Sequence, residues 1–242
     1  MKNRPSDTER ARVEDALARG RVRFLGLDLA VAPGALVPRA ETELLARAAI
    51  AALLGAGARN HCVVDMCCGA GNLACAIARH VEGARVWASD LTDACVALAR
   101  ANAAALGLSD RVSVHQGDLF ASLRDLENRV DMVVCNPPYI SEKRLATERR
   151  ELLELEPQEA FDAGPYGLGI HQRVIRDASR FLKPGGLLLF EIGAGQRGQV
   201  ETLLRRAREY EAIDAICDDA GEARVVRARR RTSDPQQEKL VD

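Results

Sequence analysis

The stretch His61-Cys62-Val63-Val64-Asp65-Met66-Cys67-Cys68-Gly69-Ala70-Gly71-Asn72 decides the fold. Its first five residues are an apolar run closed by a carboxylate, which predicts a buried strand over 61–65. Two glycines follow, and a helix is predicted from about Asn72 to His80. A strand, a glycine turn and a helix in that order open an α/β unit. In an open α/β sheet, the carboxyl end of such a strand is where ligands bind. Glycine there lets a ligand come close to the backbone, because no Cβ stands in the way.

Working outward, the same alternation continues. Strands are predicted over 85–90, 112–115, 130–135 and 186–192, and two more around 212–217 and 223–228. Helices fall at 94–106, around 142–155 (strongly charged), 170–182 and 197–210. Strands separated by helices of this length require a mostly parallel, seven-stranded α/β sheet of Rossmann-like form, covered on both faces. Ahead of it, residues 1–20 read as a short charged helix ending near Gly20, and 24–37 as two short strands around turns. Thr42 or Glu41 is the expected cap of a helix running to about Leu54. The expected organisation is a leader over 1–40, one ligand-binding domain over 41–230, and a polar, disordered tail over 231–242.

Composition narrows the function classes. With 34 Lys+Arg against 35 Asp+Glu, the net charge of −1 argues against a large footprint on duplex nucleic acid. No apolar run approaches a membrane span, and the polar start is not expected to be a signal peptide. The seven cysteines are odd in number and mostly sit in apolar runs, so neither a disulfide framework nor a metal site is expected. A reducing cytoplasm is the natural setting. Aromatic residues make up 4% of the chain, so the core must be aliphatic.

Acidic residues recur at successive strand ends. Asp90 closes the second strand and suits the two hydroxyls of a ribose; Asp118 follows the third and suits an adenine amino group. The turn is not G-x-G-x-x-G, and Asp65 would repel a pyrophosphate beside it. A cationic nucleoside without phosphate fits better, and S-adenosylmethionine is such a molecule. Asp65, Cys67, Gly69, Gly71, Asp90, Leu91, Asp118, Leu119 and Asn136 are the candidate cofactor residues.

The most specific signal is Asn136-Pro137-Pro138-Tyr139 at the end of the fourth strand. The prolines fix the backbone. The Asn136 side-chain oxygen and the Pro137 carbonyl can both accept from one planar NH2, and Tyr139 offers a flat face to it. Two aligned acceptors position a weakly nucleophilic nitrogen and stabilise its growing positive charge. Asn136, Pro137 and Tyr139 are therefore the candidate catalytic residues.

With these motifs the chain resembles the class I S-adenosylmethionine methyltransferases, and among them the HemK/PrmC family of glutamine-amide methyltransferases. The resemblance runs from about Phe24 to Ala228. It includes Val37-Pro38-Arg39-Ala40-Glu41-Thr42-Glu43, similar to the family's P-R-P-x-T-E element, Glu156-Pro157 through Gly164, and Lys183-Pro-Gly-Gly through Glu191-Ile-Gly193. It implies that Pro38, Arg39 and Thr42 stand near the methyl acceptor, a glutamine-containing protein. Glu191 and His171 are further candidates for that pocket, with a structural role the alternative for each. Cys67 stands where the family turn has its first glycine, which predicts a tighter loop, and Ala40 replaces the second proline of P-R-P. Family members that modify release factors carry a helical amino-terminal docking domain, whereas only the residues up to Gly20 precede the hairpin here.

That difference keeps other readings open. One alternative acceptor is a small metabolite. A step further is the cofactor's own amino group as acceptor, in an intramolecular cyclisation that gives an azetidine ring and methylthioadenosine. A third reading is a non-catalytic cofactor-binding subunit. Arg227-Ala-Arg-Arg-Arg231 reads first as a solvated strand end, and second as a contact for RNA or a ribosomal partner. The sequence does not specify an oligomeric state.

Overall fold

The computed structural model describes residues 6–57, 60–139, 155–157 and 167–232. The predicted helix at 142–155, most of the 156–164 motif and most of the 231–242 tail lie outside them.

The element order is α1 (Ser6–Arg19), β1 (Arg21–Phe24), β2 (Leu27–Ala30), α2 (Thr42–Gly55), β3 (His61–Met66), α3 (Asn72–His80), β4 (Ala84–Asp90), α4 (Asp93–Ala105), β5 (Val112–Gln116), β6 (Val130–Cys135), α5 (Gly169–Phe181), β7 (Leu182–Glu191), α6 (Arg197–Ala207), β8 (Tyr210–Cys217) and β9 (Ala223–Arg230). The last seven strands, β3 to β9, form one sheet in the order β5-β4-β3-β6-β7-β9-β8. Pairing is parallel from β5 through to β7, and β9 runs antiparallel to both β7 and β8. The fold is thus the expected Rossmann-like α/β sheet.

Alternation along the central strands assigns each residue to one of two cores. Val63 of β3 and Met132 and Val134 of β6 pack with α2, α3 and α4 on one face. Val64, Met66, Val133 and Cys135 pack with α5, α6 and the turns after β5 on the other. A strand buried on both sides reads as a continuous apolar run, which is why 61–66 and 130–135 were legible.

The structure corrects three local expectations. The hairpin lies earlier than 24–37: its two-residue turn is Leu25-Gly26, both with positive φ (45° and 80°), the arrangement whose twist matches paired strands. After Ala30 the apolar pattern continues, but Pro33 and Gly34 offer no ladder, and Val31 and Val37 pack on Val13 and Ala16 of α1 instead. The N-cap of α2 is Glu41, one of the two residues expected there, although it is in helical conformation and makes no side-chain capping bond. Finally, β7 begins at Leu182 rather than 186, since Lys183-Pro-Gly-Gly is absorbed as an irregularity between the Val130 and Met132 pairings, and β8 begins at the buried Tyr210 rather than 212.

Candidate active site

β3 has β4 on one side and β6 on the other, so the chain's order reverses between them. Met66 and Cys135 are register partners there. The glycine turn after β3 and the Asn136 loop after β6 therefore leave the sheet side by side, at a topological switch point. A cavity of about 520 Å³ opens above them, within the size range of small-molecule sites.

On the β3 side the wall is largely backbone. Cys67, Gly69 and Gly71 all have positive φ (59°, 53° and 76°). Cys67 thus keeps a glycine-like conformation at the strain a Cβ brings. The Gly69 N–H donates to Asp90 Oδ2 at 2.9 Å, and the Thr92 N–H to Asp90 Oδ1 at 3.2 Å, so one carboxylate ties the turn to the start of α4. A Cβ on Gly69 would meet nothing within 4 Å, whereas one on Gly71 would stand 3.0 Å from the Ala99 Cβ of α4. Gly69 lines the cavity; Gly71 serves close helix packing.

Asp65 lies behind this wall. It is fully buried, its Oδ2 accepts from the Ala74 N–H at 2.9 Å, and its Oδ1 has no partner. It satisfies an otherwise orphaned amide in the first turn of α3. Burial pushes its carboxyl up to about 8, with Asp90 adding to the rise and the Ala74 amide opposing it. Further along the wall, Leu91 is 59% exposed, and Asp118 pairs through Oδ2 with Arg173 of α5 at 2.7 Å.

On the β6 side the wall is built from side chains that hold one another. The Asn136 Nδ2 donates to Thr42 Oγ1 at 3.2 Å. The Tyr139 hydroxyl donates to Glu191 Oε1 at 3.4 Å, and the Tyr139 carbonyl accepts from Gln196 Nε2 at 2.8 Å. Glu191 is 3% exposed at the end of β7. Burial pushes its carboxyl up to about 7, against the lowering effect of the Thr42 hydroxyl, Arg224 and Tyr139. His171 is fully buried, its Nε2 is 3.2 Å from the Glu191 carbonyl, and its ring lies on Phe190. Burial lowers its pKa to about 4, so it is neutral. Arg39 bridges Glu9 of α1 (3.4 Å) and Glu156 (2.5 Å), while Glu156 Oε1 also takes the Val37 N–H at 2.8 Å. Burial raises the Glu156 carboxyl, with Arg39 opposing.

Of the residues singled out from sequence, Pro38, Arg39, Thr42, Cys67, Gly69, Asp90, Leu91, Asp118, Leu119 and Asn136 meet at the cavity wall. Asp65, Gly71, Pro137, Tyr139, Glu191 and His171 are not among its described lining residues. Asn72, Pro138, Pro157, Ile170 and Arg173 line it without having been singled out. Asn72, Pro138 and Pro157 lie within stretches quoted as motifs and were within reach of the sequence; nothing in the α5 sequence marks Arg173 as facing Asp118.

A family model described as "Methyltransferase small domain" matches residues 42–154. The chain is 39% identical over 222 residues to a release factor glutamine methyltransferase of Gloeobacter violaceus, covering 90% of this chain and 76% of that protein. It is 42% identical over 205 residues to a 4-amino-L-phenylalanine/4-methylamino-L-phenylalanine methyltransferase of Streptomyces pristinaespiralis, covering 83% and 68%. Among solved structures, the human Mettl16 catalytic domain in complex with an RNA hairpin superposes with a TM-score of 0.67 at 17% identity, over 87% of this chain and 77% of that one. That likeness concerns the fold alone. On the relatives' identity and coverage, the chain belongs to the HemK/PrmC family of class I S-adenosylmethionine-dependent methyltransferases.

Proposed function

We propose that this N-methyltransferase modifies a planar, conjugated NH2 group, in first place the side-chain amide of a glutamine in a protein such as a release factor. The observation that carries this reading is the Asn136 carboxamide at the cavity wall, whose NH2 is engaged by Thr42 and whose oxygen remains for the acceptor. With the Pro137 carbonyl it gives two acceptors for the two hydrogens of one NH2. As that nitrogen turns tetrahedral in the transition state it gains positive charge, and both oxygens bind it more tightly than in the ground state. Tyr139, tied by its carbonyl and hydroxyl, provides the flat surface.

The described residues fit the cofactor. A Cβ at Gly69 would project into open space, so the turn leaves a backbone cradle. Asp90 would hold the ribose hydroxyls, and the second oxygen of Asp118 the adenine amino group, with Cys67, Leu91 and Leu119 as apolar walls. The two arginines lining the cavity, among the described residues, are both ion-paired with carboxylates, so the site is not tuned to an anion. When bound, S-adenosylmethionine supplies a methyl carbon already activated by the sulfonium, and no strong general base is needed.

A second reading is favoured by the 42%-identical relative: an arylamine of an aromatic amino acid. Its NH2 is also conjugated with a π-system and suits the same two acceptors. The deciding experiment incubates the protein with S-adenosylmethionine and either a bacterial release factor or 4-amino-L-phenylalanine, and maps the added methyl group by mass spectrometry. The expected result is methylation of one glutamine, with S-adenosylhomocysteine formed only when acceptor is present. Methylation of the arylamine alone selects the second reading. Methylthioadenosine formed without acceptor overturns both, as does a protein inert towards each acceptor.

A further inference from the structure

The side chain of Glu156 is fully buried, and burying a carboxylate is costly unless donors hold its charge. Both its oxygens are engaged by one short stretch of chain. Oε1 accepts from the Val37 N–H at 2.8 Å, and Oε2 from the Arg39 guanidinium at 2.5 Å. Glu9 of α1 holds the same guanidinium at 3.4 Å. Neither carboxylate is among the described residues lining the cavity, whereas Pro38 and Arg39 line it, as does Pro157 next to Glu156. The ion pair therefore fastens together two pieces of the cavity wall that lie 117 positions apart in sequence.

The fastened stretch leads directly into α2, which starts without a side-chain cap. The first amides of a helix are orphans that need outside acceptors, and here the preceding turn supplies them. The Thr42 N–H donates to the Arg39 carbonyl at 3.2 Å, and the Glu43 N–H to the Ala40 carbonyl at 3.1 Å. Thr42 Oγ1 in turn accepts from Asn136 Nδ2 at 3.2 Å. Contacts thus run without a break from Glu156 through Arg39 and Thr42 to the Asn136 carboxamide. The body of α2 is fixed independently by its buried Leu45, Ala46 and Ala49. Releasing the turn would therefore displace the helix start and leave the fold intact, and a misplacement of about 1 Å is enough to spoil a reacting geometry.

We propose that the Arg39–Glu156 ion pair is a positioning device for methyl transfer, holding the turn before α2 so that Thr42 takes the Asn136 NH2 and the Asn136 oxygen faces the acceptor. The inference rests on the reading that Asn136 accepts from the acceptor NH2. Arg39 and Glu156 act through Thr42 and Asn136, since the Arg39 guanidinium is already occupied by two carboxylates.

Glu156→Gln tests it, because this change keeps an acceptor for the Val37 N–H and removes the charge opposite Arg39. With the acceptor that the enzyme turns over, it is expected to lower kcat by about tenfold. Affinity for S-adenosylmethionine, measured by calorimetry, should be unchanged. In an Asn136→Ala background the same change should lower kcat no further, since both act on one interaction. In 15N-labelled protein, the Asn136 side-chain amide signal, assigned by its loss in Asn136→Asp, should move in Glu156→Gln. The double variant Arg39→Met/Glu156→Met leaves no unpaired buried charge and should show the same loss of kcat, so the test stands where the single variant does not fold. Normal kcat in a folded variant, an additive loss in the Asn136→Ala background, or an unmoved Asn136 signal each overturns the proposal. A loss confined to the KM for the acceptor does so too, because it makes Arg39 a direct contact of that molecule. Normal kcat in Asn136→Ala itself overturns the underlying reading instead, while the amide signal, which needs no acceptor, still judges whether the ion pair positions Asn136.

Discussion

The two loops that meet over β3 and β6 solve the same problem with different materials. The loop after β3 shapes its wall from main chain: three alternate positions with positive φ at Cys67, Gly69 and Gly71, pinned by the Asp90 carboxylate. The loop after β6 uses side chains, with Asn136 held by Thr42 and Tyr139 held by Glu191 and Gln196. A backbone wall tolerates changes of side chain and fails when conformation is denied. A side-chain wall fails when one donor or acceptor is removed, while the fold survives. The first half should therefore read out in stability and cofactor affinity, and the second in turnover.

The sharpest way to break this contrast is Asn136→Ala. It should lower kcat by about 10²–10³-fold, the scale of a lost transition-state acceptor, with S-adenosylmethionine affinity measured by calorimetry nearly unchanged; a parallel loss of affinity would merge the two halves. Gly71→Ala should destabilise by about 2–4 kcal/mol in denaturant unfolding, from left-handed strain plus the clash with Ala99. Gly69→Ala should cost only the strain, about 1–2 kcal/mol, and show its effect in cofactor binding. Asp90→Ala should weaken cofactor affinity about 10–100-fold, as expected for hydrogen bonds to a charged group, with a smaller change in kcat.

Asp65 sharpens the comparison through pH. Its folded pKa near 8 lies above the ordinary value of 3.8, so the folded state retains a proton that the unfolded state has lost. Stability should fall as pH rises between these values, by at most about 1.4 kcal/mol per pH unit. Thermal unfolding from pH 5 to 8 should be less steep in Asp65→Asn. The smallest effect is expected for Cys67→Gly, a gain of about 1 kcal/mol from relieving the left-handed strain, read from the unfolding midpoint.

What was legible in the sequence follows the same division. Sheet strands 61–66 and 130–135 are apolar runs bounded by Asp-rich or Pro-rich ends, and local pattern suffices for them. Their loops were legible too, since glycine and proline act on their own backbone. The start of β7 was placed at 186 rather than Leu182, because pairing with β6 absorbs Pro184 and its glycines into an irregular strand start. The Arg39–Glu156 bridge joins residues 117 positions apart, and the Asn136–Thr42 bond residues 94 apart. No local signal marks either pair.

By itself, then, the sequence determined the alternating α/β architecture, the two loops and the chemical character of Asp90, Asp118 and Asn136, because these depend on periodicity and on the preferences of single residues. Tertiary structure alone decided which of them share a wall. It turned Asp65 inward to hold α3 and Gly71 towards Ala99, and it brought Thr42 against Asn136 and Glu191 against Tyr139. The physical reason is the parallel register of β3 and β6 beside β7: strand ends distant in sequence emerge at one edge of the sheet, and burial there changes the ionisation of the carboxylates that meet.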